Sequence, residues 1–221
     1  VLGLGVSVYS AFENLSATRW ATYDAIYEES EFMDLRVQTL YGQSVNLSAA
    51  REIVEGEGFE AVDAVEYRLT TEVFINYTEG GDVHTAKGQI IGERFFDGGG
   101  RPRAPEVNRP LFYSDQPRDF SGPNASQCYI EHAFAKAHSL GAGDALQLMK
   151  GSQTRSVEVL ENVNVPEYFV VVREGSFMPQ ERSFAVIVMP LEGASAIHSG
   201  SEGGQVLVND IAVRLKSGGD F

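Results

Sequence analysis

Four histidines and one cysteine are the side chains best suited to metal binding or nucleophilic chemistry in this sequence, and their spacing argues against both. His132 and His138 lie six positions apart, so on a helix they would not share the face that paired metal ligands need. Glu131-His132 lacks the second histidine of the HExxH metalloprotease pattern. Cys128 stands four residues before His132, but no glycine signature of a thiol protease surrounds it, and a single cysteine excludes an internal disulfide or a cysteine-built zinc site. No serine sits in Gly-x-Ser-x-Gly. Gly141-Ala-Gly143 has no third glycine, and Gly98-Gly-Gly100 leads to prolines instead of a helix N-terminus, so neither forms a known phosphate cradle. The expectation is a chain with no catalytic residues, no metal and no cofactor.

Composition agrees with a folded, binding-type body. Of 221 residues 43% are apolar, and 31 acidic against 17 basic side chains give a net charge of −14. That balance, without any basic tract, argues against a nucleic-acid partner or an anionic lipid surface. Carboxylates are so numerous that a pair close enough for acid–base work carries no signal.

The elements that position these residues follow from hydrophobic period. From Ser7 to Phe32 there is no Pro or Gly, and Val8, Phe12, Leu15, Trp20, Tyr23, Ile26 and Tyr27 share one side of a long helix. Its last turns carry Asp24, Glu28, Glu29 and Glu31, where the helix dipole prefers cations. Met33, Leu35, Val37 and Thr39 alternate with polar residues, which predicts a half-buried strand. Asn46 is placed to cap a helix carrying Leu47, Ala50, Ile53 and Val54 and stopped by Gly56 and Gly58. Alternation from Val65 to Tyr77 predicts a strand, turned at Glu79-Gly-Gly-Asp82 into a hairpin with 83–91.

The middle of the chain differs. Pro102, Pro105, Pro110, Pro117 and Pro123 interrupt any period between Gly98 and Pro123. A short helix with Ile130, Ala133, Phe134 and Ala137, then strands around Leu146–Leu148 and Val157–Val159, predict a small β-rich unit. Toward the C-terminus, Phe184–Met189 is a continuous apolar run that reads as a fully buried strand. Pro190 ends it, Leu191–Ile197 follows as a helix, and Val208–Leu215 as a last strand. The pattern predicts an α+β fold: a split ferredoxin-like β-α-β/β-α-β subdomain with an inserted small β-rich subdomain and a long N-terminal helix. The expected boundaries are 1–100 for the helix and first half, 101–175 for the insertion and 176–221 for the second half.

One segment carries more than composition. Glu131-His-Ala-Phe-Ala-Lys-Ala-His-Ser-Leu-Gly-Ala-Gly-Asp-Ala-Leu146, followed by a glycine turn, the Val157/Val159 strand and Pro166-Glu-Tyr168, resembles the segment E-x-x-F-A-x-x-x-x-L-x-x-G-D-x-L of the extracytoplasmic domain of FtsX-like ABC-transporter permeases, the MacB-type periplasmic core. Glu29 to Val37, Val107-Asn-Arg-Pro-Leu111, Ser183 to Met189 and Val208 to Leu215 match in the expected order. The stretch 101–123 departs from the family pattern. The resemblance implies a non-catalytic outer domain, with a porter-like α+β subdomain built from both ends of the chain, that lies between membrane helices on the extracytoplasmic side of the cell membrane. It further implies a separate cytoplasmic ABC ATPase as partner, a permease dimer mate, and an extracytoplasmic client or partner protein. The apolar start at Val1 and the ending at Phe221 are then expected to be the ends of a piece cut from a longer permease. The insertion is the expected docking surface, with Pro166, Glu167 and Tyr168 as partner-contact residues. A stand-alone extracytoplasmic sensor or binding module, and a secreted hydrolase, are the alternatives.

Overall fold

The computed structural model describes residues 22–40, 43–56, 60–168, 182–201 and 203–216. Helix α1 occupies 22–29 within it, so most of the long N-terminal helix expected from Ser7 lies outside the described residues. The chain then runs β1 (Leu35–Gln38), β2 (Val45–Asn46), α2 (Leu47–Gly56), β3 (Val62–Glu79) and β4 (Asp82–Glu93). After the proline-rich stretch come β5 (Leu111–Phe112), β6 (Gln127–Glu131), α3 (His132–Ala137), β7 (Ala145–Lys150), β8 (Gln153–Asn164) and a 3₁₀ turn (Pro166–Tyr168). The last third holds β9 (Phe184–Pro190), α4 (Leu191–Ser199), β10 (Leu207–Val208) and β11 (Asp210–Leu215).

Strand β3 organises the molecule. At about 3.3 Å per residue its 18 residues extend roughly 60 Å, long enough to serve two neighbourhoods. Its first part pairs with β11 through Ala64↔Arg214 to Arg68↔Asp210, and its later part with β4 from Leu69↔Gly92 to Glu79↔Asp82. The same later part also pairs with β7 at Phe74↔Met149. Because β4 pairs with β9, β9 with β6, β6 with β8 and β8 with β7, the pairings close into a ring of six strands.

All six ring strands feed one core, through Ile75, Ile90, Ile187, Ile130, Val159 and Leu148, and Phe134, Leu191 and Ala194 from the helices join it. The residues next to these on the strands, Ile91, Val188, Tyr129 and Leu160, belong to a second core that Phe95 and Phe120 of the proline-rich stretch complete. Period-2 alternation puts adjacent residues on opposite faces, so β4, β6, β8 and β9 are apolar on both. This is why Phe184–Met189 reads as an unbroken apolar run.

Several expectations change. Each β-α-β unit is present with parallel outer strands, but the order β1-β11-β3-β4-β9 differs from a ferredoxin-like sheet. Of the strands within 101–175, β6 pairs with β9, β7 with β3, and β8 joins β6 to β7 to complete the ring. Strand β1 is not half-buried: it pairs on one side only, and Leu35 and Val37 are 53% and 55% exposed. Ile130 lies on β6 and not on the helix, because Tyr129 and Ile130 pair with Val188 and Ile187. The expected Val208–Leu215 strand divides at Asn209, whose side chain accepts from Thr70 N at 2.7 Å and donates to Thr70 O at 2.8 Å. That bracket turns Leu207–Val208 away to pair with β2.

Candidate functional site

The end of α1 is held by an unusual amount of polar structure. Phe32 N donates to Tyr27 O at 2.9 Å and Glu31 N to Glu28 O at 3.3 Å, with Glu31 left-handed at φ 54°. This is the Schellman arrangement that usually has glycine at that position. The next carbonyls, which a helix leaves without partners, are met by the proline-rich stretch: Asn108 N donates to Glu31 O at 3.0 Å and Arg109 N to Ser30 O at 2.7 Å. Cations answer the acidic last turn, since Arg214 pairs with Glu31 and also with Asp63 at 2.7 Å.

Asn108 carries the joint inward. It is 1% exposed and itself left-handed, its Oδ1 accepts from Met33 N at 2.8 Å, and its Nδ2 donates to Glu167. Glu167 in turn receives Arg68, a guanidinium buried to 1% exposure in the middle of β3. Arg68 also donates to Asp210 Oδ2 at 2.7 Å and lies 3.9 Å from Glu93. Arg36 on β1 completes the group, with Nε 2.9 Å from Asp210 and Nη1 3.6 Å from Glu167.

Three carboxylates face two guanidiniums here, and the electrostatics follow. Burial alone would lower Arg68, but Glu167 and Asp210 outweigh it and hold the guanidinium above its ordinary range. Burial pushes Glu93 well above the usual carboxylate range against the pull of Arg68. Beside it Glu66, fully buried and raised by its burial, accepts from Arg103 at 2.9 Å and from Glu106 N at 3.0 Å. What the arrangement can do is tie α1, the proline-rich stretch, β1, β3, β11 and the 3₁₀ turn into one stiff unit.

The residues singled out in the sequence fall elsewhere or serve the fold. Cys128 is fully buried and its thiol is pushed far up by desolvation, so it supplies no thiolate to His132, whose ring lies tilted against Tyr113 with centroids 4.2 Å apart. His138 sits between Glu79, 2.8 Å from Nδ1, and the carbonyl of Arg182, 2.9 Å from Nε2. His198 meets Lys150 at 2.9 Å, and its pKa is lowered by burial and by that ammonium. Among the described residues no three His, Cys, Asp or Glu side chains form a metal-holding group, and no helix is long and apolar enough to cross a membrane.

The Glu131–Leu146 segment proves to be folding chemistry throughout. Glu131 caps α3 by accepting from Ala133 N at 2.9 Å and Phe134 N at 3.1 Å. Phe134, Ala135, Leu140 and Leu146 are buried, Gly143 is left-handed at φ 93°, and Asp144 accepts from Gly141 N at 2.8 Å. Of the expected contact residues, Pro166 is buried, Glu167 is bound to Arg68 and Asn108, and Tyr168 donates to Gln89 at 2.6 Å. Their functional atoms face the interior. Arg68, Asp210, Asn108 and Glu93 belong to no local site motif; the available signal is the pair of charges Glu66 and Arg68 within a strand too long to be a simple surface strand.

No family model matches the sequence, and no curated protein matches it. Among solved structures, the periplasmic region of MacB from Actinobacillus actinomycetemcomitans is similar at 14% identity and a TM-score of 0.46, over 83% of this chain and 68% of that one. The extracellular domain of the noncanonic ABC-type transporter YknZ from Gram-positive bacteria is similar at 14% identity and a TM-score of 0.46, over 83% of both chains. A permease-protein domain from Porphyromonas gingivalis is similar at 13% identity and a TM-score of 0.40, over 80% of this chain and 70% of that one.

Proposed function

We propose that the chain is the extracytoplasmic domain of an FtsX/MacB-like ABC-transporter permease, which passes ATPase-driven movement of membrane helices to a substrate or partner outside. The reading starts from the sequence resemblance of Glu131–Leu146 and its flanking segments. The observation that carries it is the joint at Asn108, which takes the end of α1 by the backbone and Glu167 by the side chain. A helix end fixed in this way moves the sheet when the helix tilts, whereas an end in a loop of water-bonded carbonyls would move alone. In this reading ATP is hydrolysed by a separate cytoplasmic subunit, a dimer mate completes the permease, and the domain does no chemistry of its own. Of Pro166, Glu167 and Tyr168, a partner contact falls to the partly exposed edges of Glu167 and Tyr168, since Pro166 is buried.

The test uses the full-length membrane protein in vesicles together with its ATPase. A spin label on Val83→Cys, at a site 71% exposed, reports the distance between outer domains with and without ATP. The expected result is an ATP-dependent change that Asn108→Gly with Glu167→Gln abolishes while ATP turnover continues. An unchanged response in that double variant overturns the coupling role.

A further inference from the structure

A cavity of about 360 Å³ lies between the proline-rich stretch and the aromatic side of the sheet, within the size range of ligand pockets. Its floor is rigid. Tyr129 meets Phe112 edge-on at 5.0 Å and Phe95 edge-on at 5.7 Å, and its hydroxyl is fixed on Arg118 O at 2.8 Å. Pro102, Pro105 and Pro117 line the walls, and prolines carry no backbone N–H, so these walls offer no backbone donors.

Three charged residues line the cavity, and they are not equivalent. Arg103 is taken by Glu66 at 2.9 Å and Glu106 at 3.1 Å. Arg109 is aimed by its Nε, which donates to Pro105 O at 2.8 Å; its Nη1 lies 4.0 Å from Glu31, and its side chain is 41% exposed. That leaves donors on a positioned guanidinium for a carboxylate, its best-matched partner. Asp119 is the acidic member of the lining and supplies an acceptor.

We propose that this cavity binds an extended peptide segment of a partner protein, with an apolar ring-bearing side chain on the aromatic floor and a neighbouring carboxylate on Arg109. A peptide brings an apolar ring, a carboxylate for Arg109 and backbone N–H donors for Asp119 together. A fatty acid lacks the donors, and a phosphate monoester brings up to about twice the negative charge of a carboxylate beside Asp119. The site goes beyond the coupling function proposed above and stands whether or not α1 transmits movement.

The probe is N-acetyl-prolyl-phenylalanine, titrated into the chain by calorimetry beside its C-terminal amide. The expected result is saturable binding of the acid, at least about tenfold weaker binding of the amide, and the same loss in Arg109→Gln. Ala104→Trp, at an exposed position on the lining, should fill the mouth and remove binding while the circular dichroism spectrum stays that of the folded chain. Absence of saturable binding, equal binding of acid and amide, or full binding by the folded Ala104→Trp variant would overturn the proposal.

Discussion

Arg68 and Asp210 meet at 2.7 Å inside the sheet, neither more than 1% exposed, although 142 positions separate them in sequence. Their backbones are a registered pair of β3 and β11, so the ladder that aligns the strands also sets the ion pair. Removing one member of such a group leaves the others buried without compensation, which commonly costs about 3–5 kcal/mol. Arg68→Met should destabilise the chain by that amount in urea unfolding. Combining it with Asp210→Asn and Glu167→Gln should recover part of the loss, because the three substitutions share partners.

Glu93 sets a pH dependence of definite sign. Its pKa is raised in the fold by burial, whereas in the unfolded chain it titrates near the ordinary value of about 4.3. Above that value the native state holds a proton that the unfolded state has released, so this contribution is full below about 4.3 and is lost as pH rises through the native value. Glu66, also raised, acts in the same direction, while His198, lowered by burial, acts oppositely on the acid side. The difference between the native chain and Glu93→Gln isolates the term. The variant's urea midpoint should fall less steeply with rising pH; parallel curves would show that Glu93 is ionised in the fold.

Asn108 combines a left-handed backbone with two side-chain hydrogen bonds, and two substitutions separate these roles. Asn108→Gly keeps the conformation and loses the bonds to Met33 N and Glu167, a loss of about 1–3 kcal/mol. Asn108→Ala adds the left-handed penalty of about 1–2 kcal/mol. Hydrogen exchange at the Met33 amide should accelerate in both variants, and thermal unfolding should rank alanine below glycine.

Glycines in β4 allow close approach to the next layer. A Cβ on Gly92 would stand 2.5 Å from Ala194 Cβ on α4, and one on Gly88 would stand 2.9 Å from Ala185 O on β9. Overpacking of this kind typically costs about 1–3 kcal/mol. Gly92→Ala should therefore lower the thermal midpoint, and Gly92→Ala with Ala194→Gly should restore much of it.

Local rules carried the sequence reading wherever one residue's chemistry was enough. The Glu79-Gly-Gly-Asp82 hairpin appears with both glycines at positive φ, 64° and 95°. Asn46 accepts from Ser48 N at 2.8 Å at the start of α2, and Phe184–Pro190 is buried throughout. In the same way Glu131, Gly143 and Asp144 keep their capping and turning roles because neighbours a few residues away satisfy them.

Tertiary structure decided what those rules do not reach. Alternation in 35–38 could not reveal that β1 would take an edge with both faces exposed, since burial depends on what packs above. Nor could the polar residues of β3 announce themselves as interior: Glu66 and Arg68 alternate like a solvent face, and they are buried because the 94–109 stretch, β11 and the 3₁₀ turn bring the opposite charges to them. The sequence by itself determined that this chain is an α+β body with apolar strands and no local catalytic motif. Only the fold decided that the ring closes through β7 and that the end of α1 is joined to Arg68, because both depend on pairings between residues far apart in the chain.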